Sequence, residues 1–121
     1  MAILVNKGTL GEDIAVTHLT KNKFSIKERN FYSRTGEIDI IAQKKDLIVF
    51  VEVKLRSSKQ VDLAELIPLY KQRKIIATSQ LYLSRYNEED YSYRFDVALI
   101  HLYRNKEYSC QYIPNAFTYH E

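Results

Sequence analysis

The 121-residue chain has one cysteine and no long apolar run, and each shortage closes off a class of protein. Cys110 alone excludes an internal disulfide framework and a cysteine-rich zinc site, and reads as a small buried hydrophobe. The opening Ala2-Ile3-Leu4-Val5 is too short for a signal-peptide core, and no stretch approaches the roughly 18 apolar residues of a membrane helix. The chain is therefore expected in the cytoplasm with no membrane partner. His18, His101 and His120 show no metal-ligand spacing. Eighteen lysines and arginines against 15 acids give a net charge of only +3, so nucleic-acid binding has to be argued from where the charges stand. Repeats and low-complexity tracts are absent, and the length predicts a single domain over residues 1–121.

What the chain does have is acids and a lysine inside strands. Gly36-Glu37-Ile38-Asp39-Ile40-Ile41-Ala42 and Val49-Phe50-Val51-Glu52-Val53-Lys54 are rich in Ile, Val and Phe and are separated by the polar Gln43-Lys44-Lys45-Asp46. They read as a β-hairpin. Alternation puts Glu37, Asp39 and Ile41 on one face, and Phe50, Glu52, Lys54 and Arg56 on one face of the next strand. A loop of about four residues sets Asp39 across from Glu52, with side chains roughly 4.5–8 Å apart. Two carboxylates about 4 Å apart repel by on the order of 4 kcal/mol at an effective dielectric near 20, and a divalent cation removes that cost. Oxygen ligands suit Mg²⁺ or Mn²⁺, and Lys54 stands where it could hold a water or neutralise charge on phosphorus. A cross-strand ion pair of Asp39 or Glu37 with Lys54 on a half-exposed hairpin is the plainer alternative.

Asp39 followed by Glu52-Val53-Lys54 resembles the PD-(D/E)xK nuclease core, in the arrangement of Holliday-junction resolvases. Gly8, Gly11-Glu12-Asp13-Ile14-Ala15, Gly36-Glu37-Ile38-Asp39, Val49 through Lys54, Lys71-Gln72-Arg73, Arg94-Phe95-Asp96-Val97 and Asn115-Ala116-Phe117 together resemble the YraN-like family of small bacterial proteins over nearly the whole chain. Ile38 departs from the proline common at that place in the nuclease superfamily. The resemblance implies a restriction-endonuclease-like α/β fold with a mixed central sheet flanked by helices. It implies a Mg²⁺-dependent DNA endonuclease, with Asp39, Glu52 and the Val53 carbonyl on the metal, Lys54 beside the attacked phosphorus, and Glu12 and Gln72 completing the site. Branched or nicked DNA is the expected partner, and a homodimer is one arrangement open to the chain. The other reading is a catalytically silent nucleic-acid-binding or scaffold module that keeps the fold.

The flanking elements carry their own alternatives. Thr9-x-x-Glu12 forms a capping box that would start the first helix at Thr9 and occupy Glu12, while Glu12, Ala15, Val16 and Leu19 form a stripe that would turn Glu12 toward the sheet. Phe24 to Phe31 reads as the first strand, Ser33 to Gly36 as a turn, and Arg56 to Gln60 as a mobile loop. Pro68 predicts a long helix from about Leu69 to Leu83 or beyond. Lys71, Arg73 and Lys74 stand in its first turns, where the macrodipole disfavours cations, so with Arg56 they are candidates for phosphate contacts, or else a solvated basic face. Gln72 lies on the inward stripe with Ile76, Ser79 and Leu83. Arg94 to His101 and Tyr108 to Ile113 read as two further strands. Asp96 reads as a buried partner of Arg94 or a cap at the sheet edge. Most of the ten tyrosines read as core residues and a minority as stacking platforms for bases.

Overall fold

The computed structural model describes residues 7–57, 67–86 and 90–118. Helix α1 (Lys7–Lys21) precedes a meander of strands β1 (Ser25–Ser33), β2 (Gly36–Lys44) and β3 (Leu47–Arg56); helix α2 (Leu69–Leu83) follows, then β4 (Ser92–Leu102) and β5 (Tyr108–Phe117). They make one mixed five-stranded sheet in the order β1-β2-β3-β4-β5. Only the β3–β4 pair is parallel, so the chain must cross over between them, and α2 lies on that crossover. This α/β arrangement, a mixed sheet flanked by two helices among the described residues, is consistent with a restriction-endonuclease-like core.

The apolar pattern of β3 explains why the sheet is covered on both faces. Ile48 and Phe50 join Ile75, Ile76, Tyr82, Leu83, Val97 and Leu99 in the core beneath α2. Val49 and Val51 join Ile14, Ala15, Leu19, Ala98 and Ile100 in the core beneath α1. Phe50 is the centre of the first core, its ring 5.6 Å from Phe95 and 6.0 Å from Tyr82.

Three local expectations change. The helix α1 begins at Lys7, so Thr9 lies inside its first turn and is not the N-cap. The β2–β3 connection is the two-residue turn Lys45-Asp46, because Lys45 takes a positive φ of 55° and lets the ladder continue to Lys44 and Leu47. Strict alternation also fails in β2. Ile38 and Ile41 both face α2, while Ile40 between them faces α1. Across from this irregularity on β1, Asn30 has a φ of 52°. Asp39 therefore does not simply share a face with Ile41. Of the loop expected over Arg56 to Gln60, Arg56 closes β3, while Ser58 to Gln60 lie outside the described residues.

Candidate active site

Asp39 and Glu52 meet where β2 and β3 part. The ladder pairs Ile40 with Val51, and beyond it the Val53 N–H donates to Asp39 Oδ2 at 2.8 Å. A side chain has replaced a backbone acceptor, which holds Asp39 at the mouth of the opening strands. Burial, followed by the charge of Glu52, pushes the Asp39 carboxyl up to about 7 despite the Val53 hydrogen bond, with Glu12 and Glu37 adding to the rise. Desolvated acids held together in this way are characteristic of functional sites.

Glu52 is buried, at 6% exposure, and is the anchor of two cations. Its Oε1 lies 3.3 Å from Lys54 Nζ and 2.9 Å from Lys71 Nζ. Burial and the neighbouring Lys71 ammonium pull Lys54 below the usual lysine range, against the attraction of Glu52. Lys71 is reached from the first turn of α2, so its position against the helix dipole needs no phosphate to explain it: the Glu52 carboxylate compensates it. Lys71 is thus drawn into the acid site and away from the exposed face that Arg73 and Lys74 occupy.

Glu12 enters from the α1 face. Freed from any capping box, its Oε2 accepts from Asn30 Nδ2 at 3.2 Å and lies 3.5 Å from Arg29 Nη2. Gly11 explains how the helix comes so near, since a Cβ there would stand 3.3 Å from Val53 Cγ1. Gln72 does not reach the acids with its amide nitrogen, which donates to the Ile67 carbonyl at 2.9 Å and ties down the approach to α2. Arg56 donates to the neighbouring Leu55 carbonyl at 2.8 Å. Asn30 and Arg29 escaped the sequence reading; a polar asparagine inside an otherwise strand-like run was the available signal.

Asp96 is wholly buried, and the ion pair expected with Arg94 is present, Nε to Oδ1 at 2.9 Å. The carboxylate also accepts from the Tyr112 hydroxyl and from Asn115 N–H at 2.8 Å, filling the register break between β4 and β5. It belongs to the scaffold on the α1 side and not to the Asp39–Glu52 cluster.

The donor set of the cluster, an Asp39 carboxylate, a Glu52 carboxylate and the Val53 carbonyl, is all oxygen, the chemistry that Mg²⁺ and Mn²⁺ accept. Among the described residues no group of three or more His, Cys, Asp or Glu side chains converges as a ready metal cage. A cation held there would rest on two carboxylates, a carbonyl and water. It would also have to take over the charge that Lys71 now neutralises.

The family model for the uncharacterised protein family UPF0102 matches residues 11–100, which include Glu12, Asp39, Glu52, Lys54 and the first turns of α2. The chain belongs to the UPF0102 family. A UPF0102 protein of Caldanaerobacter subterraneus subsp. tengcongensis is 44% identical over 107 residues, covering 85% of this chain and 86% of that protein. UPF0102 proteins of Geobacter metallireducens and Clostridium acetobutylicum are each 40% identical, over 91% of this chain and 90% and 92% of theirs. The acid site of this UPF0102 chain thus lies wholly within the family region, whereas β5 lies beyond it. No described helix is long and apolar enough to cross a membrane.

Proposed function

We propose that this UPF0102 chain is one restriction-endonuclease-like domain that hydrolyses a DNA phosphodiester with a bound Mg²⁺ or Mn²⁺. The observation that carries the reading is the pairing of a desolvated Asp39 with a buried Glu52 whose carboxylate is shared by Lys54 and Lys71. Asp39, Glu52 and the Val53 carbonyl would hold the metal, which supplies charge neutralisation and a nucleophilic water. Lys54 stands beside it to stabilise charge on the phosphorus oxygens. Glu12, fixed by Asn30 and Arg29, would orient water at the α1 side. Calorimetric titration with Mn²⁺ is expected to give one site whose affinity falls at least about tenfold in Asp39→Asn and in Glu52→Gln. Unchanged binding in both variants would end the assignment.

One observation favours a second reading. Lys71 already supplies Glu52 with a counter-charge, so the site is balanced without metal. A protein that keeps the fold to bind nucleic acid without cutting it would have this arrangement. It would show no Mn²⁺ site and would bind DNA all the same.

The basic face makes a separate forecast. Arg73 and Lys74 are exposed on α2, so each Ala variant should lower the slope of log K against log salt for duplex DNA by about 0.9. Lys71→Ala and Arg56→Ala should lower it less, because both side chains are already engaged within the protein. Filter binding between low and moderate salt measures the slopes; equal slopes in all four variants and the parent would remove this face from the DNA contact.

A further inference from the structure

A cleft of about 250 Å³ opens on the α1 side of the sheet, bounded among others by His18, Phe24, Lys44, Arg94 and Tyr112, and contains no acidic residue in its lining. None of Glu12, Asp39, Glu52 and Lys54 borders it. Arg94 is paired with Val49, four residues before Val53 on the same strand, which is roughly 13 Å along β3.

Four cationic or hydrogen-bond-donating side chains, Arg94, Tyr112, His18 and Lys44, border this cleft, and each contacts a neighbour. Asp96 is wholly buried and grips Arg94 through Nε at 2.9 Å and 3.1 Å, and no second carboxylate pairs with the guanidinium among the described residues. The same carboxylate takes the Tyr112 hydroxyl, so one buried anion orients both the fork and the aromatic wall. His18 stacks on Tyr112 with ring centroids 4.9 Å apart and planes 19° apart. Lys44 Nζ stands 5.6 Å above the Phe24 ring. An oriented guanidinium is the group that best matches phosphate oxygens, and a second cation across an acid-free cleft adds to the field. The ordering of Arg94 and Tyr112 is already supplied by Asp96, which lowers the cost of binding.

We propose that this cleft binds a phosphate group carried on a nucleoside, either as a free nucleoside monophosphate or as part of a nucleic-acid backbone. The phosphate takes the Arg94 fork and Lys44, and the nucleoside lies along the Phe24 and Tyr112 walls. The site is independent of metal and of cleavage.

Amide chemical-shift titration of the full chain with inorganic phosphate, adenosine, adenosine monophosphate and a short oligonucleotide lacking terminal phosphates tests this. Saturable shifts at His18, Asn22, Lys44 and Tyr112 are expected with adenosine monophosphate, and affinity at least about tenfold weaker with adenosine. Lys44→Ala should weaken binding about three- to fivefold and Arg94→Lys about tenfold. Because Arg94→Lys disturbs the partner of a buried carboxylate, Lys44→Ala and His18→Gln carry the test if that variant folds poorly. Read from the shifts at His18, Asn22, Lys44 and Tyr112 alone, a tighter oligonucleotide assigns the phosphate to a backbone and a tighter mononucleotide assigns it to a free ligand; oligonucleotide binding that leaves these residues unshifted belongs to the Arg73–Lys74 face and does not count for the site. Equal affinity for adenosine and its monophosphate, adenosine monophosphate shifts that are absent from His18, Asn22, Lys44 and Tyr112 or centred on Glu52 and Lys54, or unchanged affinity in both Lys44→Ala and His18→Gln would overturn it.

Discussion

Asp39→Asn is expected to make the metal-free protein more stable at pH 8, by on the order of 2–4 kcal/mol. The Asp39 carboxyl titrates near 7 when folded and at 3.8 otherwise. Between those values the folded chain holds a proton that the unfolded chain has released, so stability falls as pH rises from about 4 to about 7 and is level above. Each pH unit in that window costs up to about 1.4 kcal/mol, and solvent around a partly buried group reduces the total. Asparagine keeps an oxygen for the Val53 N–H and carries no charge to desolvate. Urea denaturation in chelator should show the two proteins alike below about pH 4 and separated at pH 8, and parallel profiles throughout would refute the raised titration. Mn²⁺ should reverse the order, because ligand that binds only the folded parent stabilises it. Glu52→Gln should behave oppositely. It leaves Lys54 and Lys71 without their carboxylate, so it lowers stability at the same pH although it too removes a negative charge.

That contrast between two neighbouring acids shows where sequence reasoning stops. The hairpin, the α/β class and the start of α2 at Leu69 were legible, because apolar runs and the Pro68 break are local signals, whereas its end at Leu83 carries no such signal. The start of α1 was not: Thr9 and Glu12 have the spacing of a capping box, but the chain is already helical from Lys7, and the Glu12 carboxylate is taken by Asn30 and Arg29. The two-residue turn depends on Lys45 adopting a left-handed φ of 55°, which a lysine does not announce. The irregular alternation at Asp39 lies across the ladder from Asn30, whose φ of 52° is equally unannounced. Lys71 could be recognised as ill-placed at a helix start, but its carboxylate lies 19 positions back along the chain, and only the packing of α2 on the sheet brings them to 2.9 Å. Asp96 was legible as far as Arg94, two residues away on its own strand. Tyr112 and Asn115 complete its shell only because β5 breaks register there.

Lys54→Met is expected to lower DNA cleavage by roughly 10² or more while leaving Mn²⁺ and DNA affinity within a few-fold. Lys54 follows Glu52 by two residues on β3, and its ammonium lies 3.3 Å from Glu52 Oε1, so it stands next to any cation that Glu52 holds. In the proposed mechanism a charge there does little for holding DNA, the role proposed for the exposed Arg73 and Lys74. It matters when negative charge grows on the phosphorus oxygens, and removing one such stabiliser in a shielded site costs about two to three orders of magnitude. Methionine preserves most of the apolar stem, so packing against the sheet survives. Lys71 is the complication, since it shares the same carboxylate oxygen at 2.9 Å and could supply part of the lost charge. The double variant Lys54→Met/Lys71→Met should therefore lose more cleavage than Lys54→Met alone. Nicked, flapped, four-way and single-stranded DNA with Mg²⁺ and with Mn²⁺ form the substrate panel. Cleavage equal in the parent and both variants would place the chemistry elsewhere, and a parent that binds several of these DNAs tightly but cuts none would make the chain a binding module. Rescue of Lys54→Met by Lys54→Arg would show that positive charge at that point is the property required.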